Sequence, residues 1–456
     1  MQVSRPRLSF QAGSSRSWGL IVCLMTWWAT AAQAQSLQAL YQAAKSYDAT
    51  YLSAQAQARS AQYKAAQANA LRLPSVGLTA DAERTHVNLP PLQIGPITYA
   101  NPAYNTQKQV ALQARQPVFN KSNEAQISEA QRSLTVAQAD LEKASQDLMV
   151  RVAQAYFDVL AAQDALATAR ANHKAIREQL ASAKRNFEVG NATVTDSREA
   201  QARSDLADSQ EIAASNDLRI KLMALESLVG RRGILPKPLD TNQPLPPVTP
   251  SDAEQWVTLS ENSPDVRKAE LAKQIAQLEI DNAKAGHLPT VDLVGTFARV
   301  NNSTATLTQP SGSFNNSSVS VELNMPLFSG FSVQNRIKET EALEEKAGYD
   351  LDAARRGVAQ AVRTAYYNVE SGLAQVHALE AAEASSKLAL EATELGYRVG
   401  VRVNIDVLNA QTQVYNTLRD LDKARYDVLM GQLKLRQIAG VLKESDIDWV
   451  SRLLVK

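Results

Sequence analysis

The chain has 456 residues and a net charge close to zero, with 48 lysines and arginines against 47 aspartates and glutamates. This balance gives no electrostatic footprint for nucleic acid. The single cysteine, Cys23, excludes a disulfide framework.

The first 34 residues have the pattern of a secretory signal peptide. Three arginines precede an apolar core at Leu20–Trp28, and Ala32-Gln33-Ala34 forms a cleavage site. We therefore expect residues 1–34 to be removed, and an uncleaved anchor is the alternative. Cys23 lies inside this segment after the bulky Val22, which makes it a poor site for lipid attachment. Beyond the segment no apolar run reaches the roughly 20 residues of a membrane-spanning helix, so any membrane crossing would require strands.

Residues 35–230 predict a helix, two strands and a long helical hairpin. Helical periodicity from Ser36 ends at Leu73-Pro74, and a period of two then predicts strands at about 75–86 and 106–118. No Gly or Pro occurs from 122 to 189, where apolar residues at alternating steps of three and four form a coiled-coil seam. One extra step of four, from Leu148 to Val152, is a stutter. The helical hairpin is expected over 120–229, with its turn at Gly190.

The same plan returns after a proline-rich linker at 231–252. Within residues 253–456 the pattern predicts strands at about 290–300 and 317–327 and a helical hairpin over 330–440, with its turn at Gly400. Three signatures recur in order. The first is Leu73-Pro74, which is repeated as Leu288-Pro289. The second is Pro117-Val118-Phe119, which is repeated as Pro326-Leu327-Phe328. The third is the segment from Phe187 to Gly190 followed by Asp196, which is repeated as the segment from Tyr397 to Gly400 followed by Asp406. The sequence thus predicts two tandem structural repeats.

Each predicted strand is long enough to cross a bilayer when tilted. Membrane strands must close into a barrel, and four strands per chain are too few, so the barrel would be shared among subunits. The apolar face would meet lipid, and the loops at 86–104 and 301–316 would be extracellular. Two hairpins packed on a soluble core are the alternative. The side chains expected to face the lumen are Asp81, Glu83, Arg115, Asp292 and Glu322.

Taken in this order, these pieces resemble the TolC family of outer-membrane efflux and secretion channels. The most specific segment is 397–409, which resembles the family's inner hairpin tip. The resemblance implies a homotrimer with a 12-stranded β-barrel that is continuous with a long α-helical barrel in the periplasm of a Gram-negative bacterium. It also implies an exit duct for small molecules or proteins. The implied partners are a periplasmic adaptor (membrane fusion) protein, an inner-membrane RND or ABC transporter and outer-membrane lipid.

The resemblance also implies a gate at the periplasmic tip. By position, Tyr397 and Arg402 match the inner-hairpin members of the gate links, and Thr195 and Asp196 match their partners on the outer hairpin. Asp406 resembles the first of two aspartates that ring the constriction. The second position is Asn409, a departure for which we expect weaker cation selectivity, because half of the acidic groups are missing.

Nothing in the sequence indicates catalytic, cofactor-binding or metal-binding chemistry. The histidines (His86, His173, His287 and His377) lack metal-ligand spacing, and phosphate-loop and nucleophile-elbow motifs are missing. His173 lies on the seam, where a polar interruption is the simpler interpretation. A periplasmic adaptor and a structural coiled-coil protein of the cell envelope are the alternative classes, and the duplicated strand pairs disfavour both. Drug efflux and type I secretion remain open.

Overall fold

A computed structural model describes residues 35–86, 92–99, 104–190, 192–240, 243–305 and 310–455. The predicted signal peptide, residues 1–34, lies outside the described residues. So do parts of the predicted loops at 86–104 and 301–316 and two positions of the linker.

The described part of the chain is mostly helical, with one four-stranded antiparallel sheet and a separate pair of short strands. No described helix is both long and apolar enough to span a membrane. The α-helices are α1 (Leu37–Tyr47), α2 (Ala49–Asn69), α3 (Lys121–Glu188), α4 (Val194–Val229), α5 (Ala253–Ser260), α6 (Pro264–Ala285), α7 (Ser332–Arg398), α8 (Asn404–Ile438) and α9 (Glu444–Ser451). The strands are β1 (Ser75–His86), β2 (Leu92–Ile94), β3 (Ile97–Tyr99), β4 (Tyr104–Phe119), β5 (Thr290–Asn302) and β6 (Gly312–Asn324).

Four strands form one antiparallel sheet in the order β1-β4-β5-β6, while β2 and β3 pair separately in the loop between β1 and β4. In the register, Leu78 lies opposite Leu112, which lies opposite Phe297. These residues therefore share one face, which we call the outward face. Its other large apolar side chains are Val76, Val110, Val291, Leu293, Val319, Val321 and Leu323, and most of them are exposed.

The opposite, inward face holds the five charged residues that the sequence assigns to the lumen. Arg115 lies between two carboxylates there, with 2.8 Å from Nη1 to Asp292 and 2.8 Å from Nη2 to Glu322. The inward face is less polar than alternation predicts, because Ala111, Ala298 and Val300 are buried on it near Phe314. Pro117 interrupts the pairing of β4 with β5 at a bulge, the position where an inner strand tolerates proline.

Two long helical hairpins extend from the sheet. Helix α3 has 68 residues and α7 has 67, so each is about 100 Å long. Helix α4 packs antiparallel to α3, and α8 packs antiparallel to α7. The predicted seam of α3 is buried or half-buried from Ile127 to Ala183. Phe187, in the last turn of α3, is the exception at 45 % exposed.

The largest core surrounds the middle of α3, where α1, α4, α8 and α9 meet it. The predicted stutter lies inside this core, with Leu148 and Val152 fully buried. A stutter unwinds the supercoil locally, so more of the circumference of the helix can contact neighbours. Met149, Val150 and Ala153 are accordingly buried as well.

The first predicted helix is divided in two at Asp48. The Asp48 carboxylate accepts a hydrogen bond from the Tyr51 backbone N–H at 2.8 Å and so begins α2. It also accepts hydrogen bonds from both terminal nitrogens of Arg151 on α3, at 2.8 and 2.9 Å. This pairing holds the Asp48 pKa below its usual value. A periodic pattern does not reveal such a break, because the partner is distant in sequence.

Candidate functional site: the hairpin tips

The two hairpins turn with the same local structure. Gly190 and Gly400 have φ of +78° and +82°, a conformation that only glycine adopts without strain. The N–H of Val189 bonds to the Arg185 carbonyl at 3.1 Å, and the N–H of Val399 bonds to the Leu395 carbonyl at 3.1 Å. The repeated Val-Gly signature of the sequence is therefore a repeated turn.

Asp196 and Asp406 occupy equivalent positions in the first turns of α4 and α8. The Asp196 carboxylate accepts hydrogen bonds from the Thr193 N–H at 2.9 Å and the Thr193 hydroxyl at 2.8 Å. The Asp406 carboxylate lies 3.5 Å from the Val403 N–H. Carboxylates at these positions satisfy backbone donors at the start of each returning helix.

Arg402 lies along the inner turn. Its stem packs against Gly396, where an added Cβ would lie 2.8 Å from the Arg402 Cγ. Its guanidinium is 3.7 Å from the Asp406 carboxylate, and the side chain is 60 % exposed. An ion pair this exposed contributes about 0–1 kcal/mol, so a docking partner can break it.

The predicted gate residues make other contacts within one subunit. Tyr397 accepts a hydrogen bond from the Asn186 amide at 3.2 Å, and Thr195 is exposed in the first turn of α4. In the part of the chain that the structure describes, neither Thr195 nor Asp196 hydrogen-bonds to Tyr397 or Arg402 of the same subunit. Links between those pairs would have to form after rearrangement or between subunits.

Near the tip, three side-chain hydrogen bonds between described residues join the outer hairpin (α3 and α4) to the inner hairpin (α7 and α8), and the sequence predicts none of these pairings. Besides Asn186 and Tyr397, the Gln179 amide donates to Asn404, and the Arg203 guanidinium donates to Asn409 at 3.1 Å. Asn409 is thus engaged with a cation of the outer hairpin. The partners of each pair are more than 200 positions apart, so no sequence signal identifies them.

An apolar cluster supports these polar bonds. Leu408 of α8 is fully buried against Ile176, Leu180 and Ala183 of α3 and small residues of α4. His173 lies one turn above this cluster, where its Nδ1 is 2.8 Å from the Glu211 carboxylate of α4. The histidine joins the two helices of the outer hairpin, as expected for a polar seam residue.

A half-buried acidic cluster lies farther from the tip, between α3, α7 and α8. Burial and the neighbouring Asp164 raise the pKa of Asp422 to about 6, against the opposing effect of Arg425. Burial also raises the pKa of Asp164, which accepts a hydrogen bond from the Tyr426 hydroxyl at 2.6 Å. Among the described residues, no group of three or more His, Cys, Asp or Glu side chains is placed to hold a metal ion.

Two helical hairpins, each containing one helix about 100 Å long and joined to a sheet with one apolar and one charged face, are the features expected of an outer-membrane channel protein. A model of the family described as Outer membrane efflux protein matches residues 40–231 and 257–441. The chain therefore belongs to the outer membrane efflux protein family, as the resemblance to TolC predicts. It is a non-enzymatic channel protein of the outer membrane, with its helical part in the periplasm.

Relatives in sequence and in structure agree with this assignment. The chain is 31 % identical over 420 residues to Outer membrane protein TolC of Vibrio cholerae, covering 92 % of this chain and 93 % of that protein. It is 33 % identical over 345 residues to Alkaline protease secretion protein AprF of Pseudomonas aeruginosa, covering 75 % and 71 %. The fold matches the outer membrane protein VceC of Vibrio cholerae with a TM-score of 0.76 at 19 % identity, over 89 % of this chain and 96 % of that one.

Proposed function

We propose that three copies of the chain close a single 12-stranded barrel and continue as one helical tunnel, forming the exit duct of a tripartite efflux pump or type I secretion system. The observation that carries the proposal is the open sheet. Among the described strands, β1 and β6 are each paired on one side only, while the outward face is apolar. Unpaired strand edges are not stable in lipid, so β6 of one subunit must pair with β1 of the next.

The tandem repeat supplies a register for that pairing. Within the chain, Ala114 of β4 lies opposite Gly295 of β5. The repeated Pro-x-Phe and Leu-Pro signatures make Leu323 the equivalent of Ala114 and Ala80 the equivalent of Gly295. Leu323 of one subunit would then lie opposite Ala80 of its neighbour.

Introduced cysteines test the closed trimer directly, since the predicted mature chain has none. Directly opposed residues of antiparallel strands are close enough for a disulfide. The pair Leu323→Cys with Ala80→Cys should give a covalent trimer on a denaturing gel without reductant. The matched control is Leu323→Cys with Asp81→Cys, whose side chains point to opposite faces. Monomers alone from the first pair, or equal cross-linking of both, would contradict the closure.

The gate proposal rests on the tip. Tyr397 and Arg402 would hold the inner hairpin through weak, solvated links, with Thr195 and Asp196 as intersubunit partners. An adaptor protein together with an inner-membrane RND or ABC transporter would open them. The exposure of Arg402 and its long 3.7 Å ion pair support a link that yields to a docking partner. Asp406 would ring the constriction and attract cations, while Asn409, already bonded to Arg203, would not.

Export by cells tests the duct. The chain would be expressed with its own adaptor and transporter in a host that lacks its channel protein, and both drug resistance and secretion of a type I substrate would be measured. Restoration of either export supports the duct and identifies the cargo class. Failure of both, with cross-linked trimers present in the outer membrane, would contradict it.

A further inference from the structure

The outward face of the sheet changes character at its outer end, the end opposite the helices. Three cationic side chains, Arg84, Lys108 and Arg299, lie there on β1, β4 and β5, and all three are exposed. None of them forms an ion pair with a carboxylate in the part of the chain that the structure describes. We call these three residues the basic row.

The register places the basic row on one diagonal across neighbouring strands. Arg84 of β1 lies opposite Thr106 of β4, and Lys108 follows two positions after Thr106 on β4. Val110, two positions beyond Lys108, lies opposite Arg299. With strands about 4.8 Å apart and a rise of about 3.3 Å per residue, successive Cα atoms of the row are about 8 Å apart. Long side chains at this spacing can converge on an anionic group between them.

Charge is sorted between the two faces of the sheet. Every carboxylate of its four strands lies on the inward face, and the outward face carries only cations. The inward carboxylates are Asp81, Glu83, Asp292 and Glu322, of which the last two pair with Arg115. An outward surface with cations and no compensating acid is complementary to an anion.

Aromatic rings beside Arg84 indicate the membrane level of this end of the basic row. The guanidinium of Arg84 lies 4.9 Å from the centre of the Tyr104 ring, and the centre of the His86 ring lies 4.6 Å from the centre of the same Tyr104 ring. Such amphipathic rings are enriched where headgroups meet the hydrocarbon core. Cations on the lipid face of a barrel cost about 2–4 kcal/mol at the bilayer midplane but about 0–1 kcal/mol near the interface, so the row fits headgroup depth.

We propose that the basic row binds the phosphate groups of outer-leaflet lipid and so anchors the rim of the channel. The inference rests on the proposed closed barrel, whose outward face meets lipid. A free phosphate ion shares the same chemistry, but the apolar band directly beside the row, including Leu112 and Phe297, suits acyl chains. A phosphorylated lipid is therefore the ligand that fits this surface.

Native mass spectrometry of the purified protein, titrated with bis-phosphorylated lipid A, tests the proposal. The triple variant Arg84→Gln/Lys108→Gln/Arg299→Gln should bind lipid A about a hundredfold more weakly, since each basic side chain near an anionic surface contributes about fivefold. The matched control Asp81→Asn/Glu83→Gln changes charge at the same end of the sheet on the opposite face and should bind as the wild type does.

A second comparison needs no variant. The wild-type protein should bind dephosphorylated lipid A about as weakly as the triple variant binds the phosphorylated form. Equal binding of both lipids, or of wild type and a folded triple variant, would overturn the proposal. Displacement of lipid A by excess inorganic phosphate would show a free-anion site instead. The cysteine cross-link distinguishes failure of the lipid site from failure of the barrel. Trimers that cross-link but do not bind lipid A would refute only the lipid site.

Discussion

Replacing Asp422 by asparagine should make the folded chain less sensitive to pH. The carboxyl group is mostly buried between α3, α7 and α8 near Asp164 and Glu383, with Arg425 as its nearest cation at 3.9 Å. Its pKa rises from 3.8 to about 6 on folding. The stability that this raised pKa supplies is fully present below the unfolded value and is lost as pH rises through about 6. Ionisation inside the protein therefore opposes folding near neutral pH.

The magnitude follows from the two pKa values. Between pH 5 and pH 7.5 the free energy of unfolding of Asp422→Asn should shift by about 1.5 kcal/mol in favour of the variant, relative to wild type. Guanidinium unfolding of both detergent-solubilised proteins at both pH values, followed by circular dichroism, measures this change in the difference between variant and wild type. Asp420→Asn, at a position 53 % exposed on the same helix, should show no such shift. Equal differences at both pH values for Asp422→Asn would refute the reasoning.

Three further substitutions probe separate parts of the chain. Gly372→Ala should lower the free energy of unfolding by about 1–3 kcal/mol relative to Gly357→Ala. The added Cβ at Gly372 would lie 2.9 Å from a valine of α8, while nothing lies within 4 Å at Gly357. Thermal unfolding that ranks the two variants equally would count against this packing. Asp48→Ala should lower the free energy of unfolding by about 3 kcal/mol, since it removes a helix cap and leaves the Arg151 guanidinium without its carboxylate. In denaturant unfolding, a loss of less than about 1 kcal/mol would contradict this. Asp406→Asn should abolish blockage by multivalent cations in planar bilayers, and undiminished blockage would exclude Asp406 from the constriction.

Features set by local periodicity could be predicted from the sequence. The seam of α3 requires only apolar residues at steps of three and four, and the faces of the sheet require only alternation, so Leu78 and Asp81 can be assigned to opposite faces without coordinates. The turns at Gly190 and Gly400 follow from glycine in left-handed conformations. A repeated, elongated fold contains many such local patterns, so much of it can be predicted from the sequence.

Features set by the rotation of one helix against another could not be predicted. The bond from Arg203 to Asn409 depends on how α4 faces α8, and the bond from Gln179 to Asn404 depends on how α3 faces α8. Asp48 breaks a helical pattern because its partner, Arg151, lies on another helix. The short helices α5 and α9 carry too few turns for a clear period.

Single-channel conductance in a planar bilayer tests the central claim, a gated channel closed at the hairpin tips. Wild-type protein would be compared with Tyr397→Phe/Arg402→Ser, and the matched control is Arg398→Ser, at an exposed arginine in the last turn of α7. We expect small, rarely opening currents for wild type and control, and larger, sustained currents for the double variant. Large wild-type currents would remove the gate but keep the pore, and no current from folded, cross-linkable trimers would contradict the channel itself.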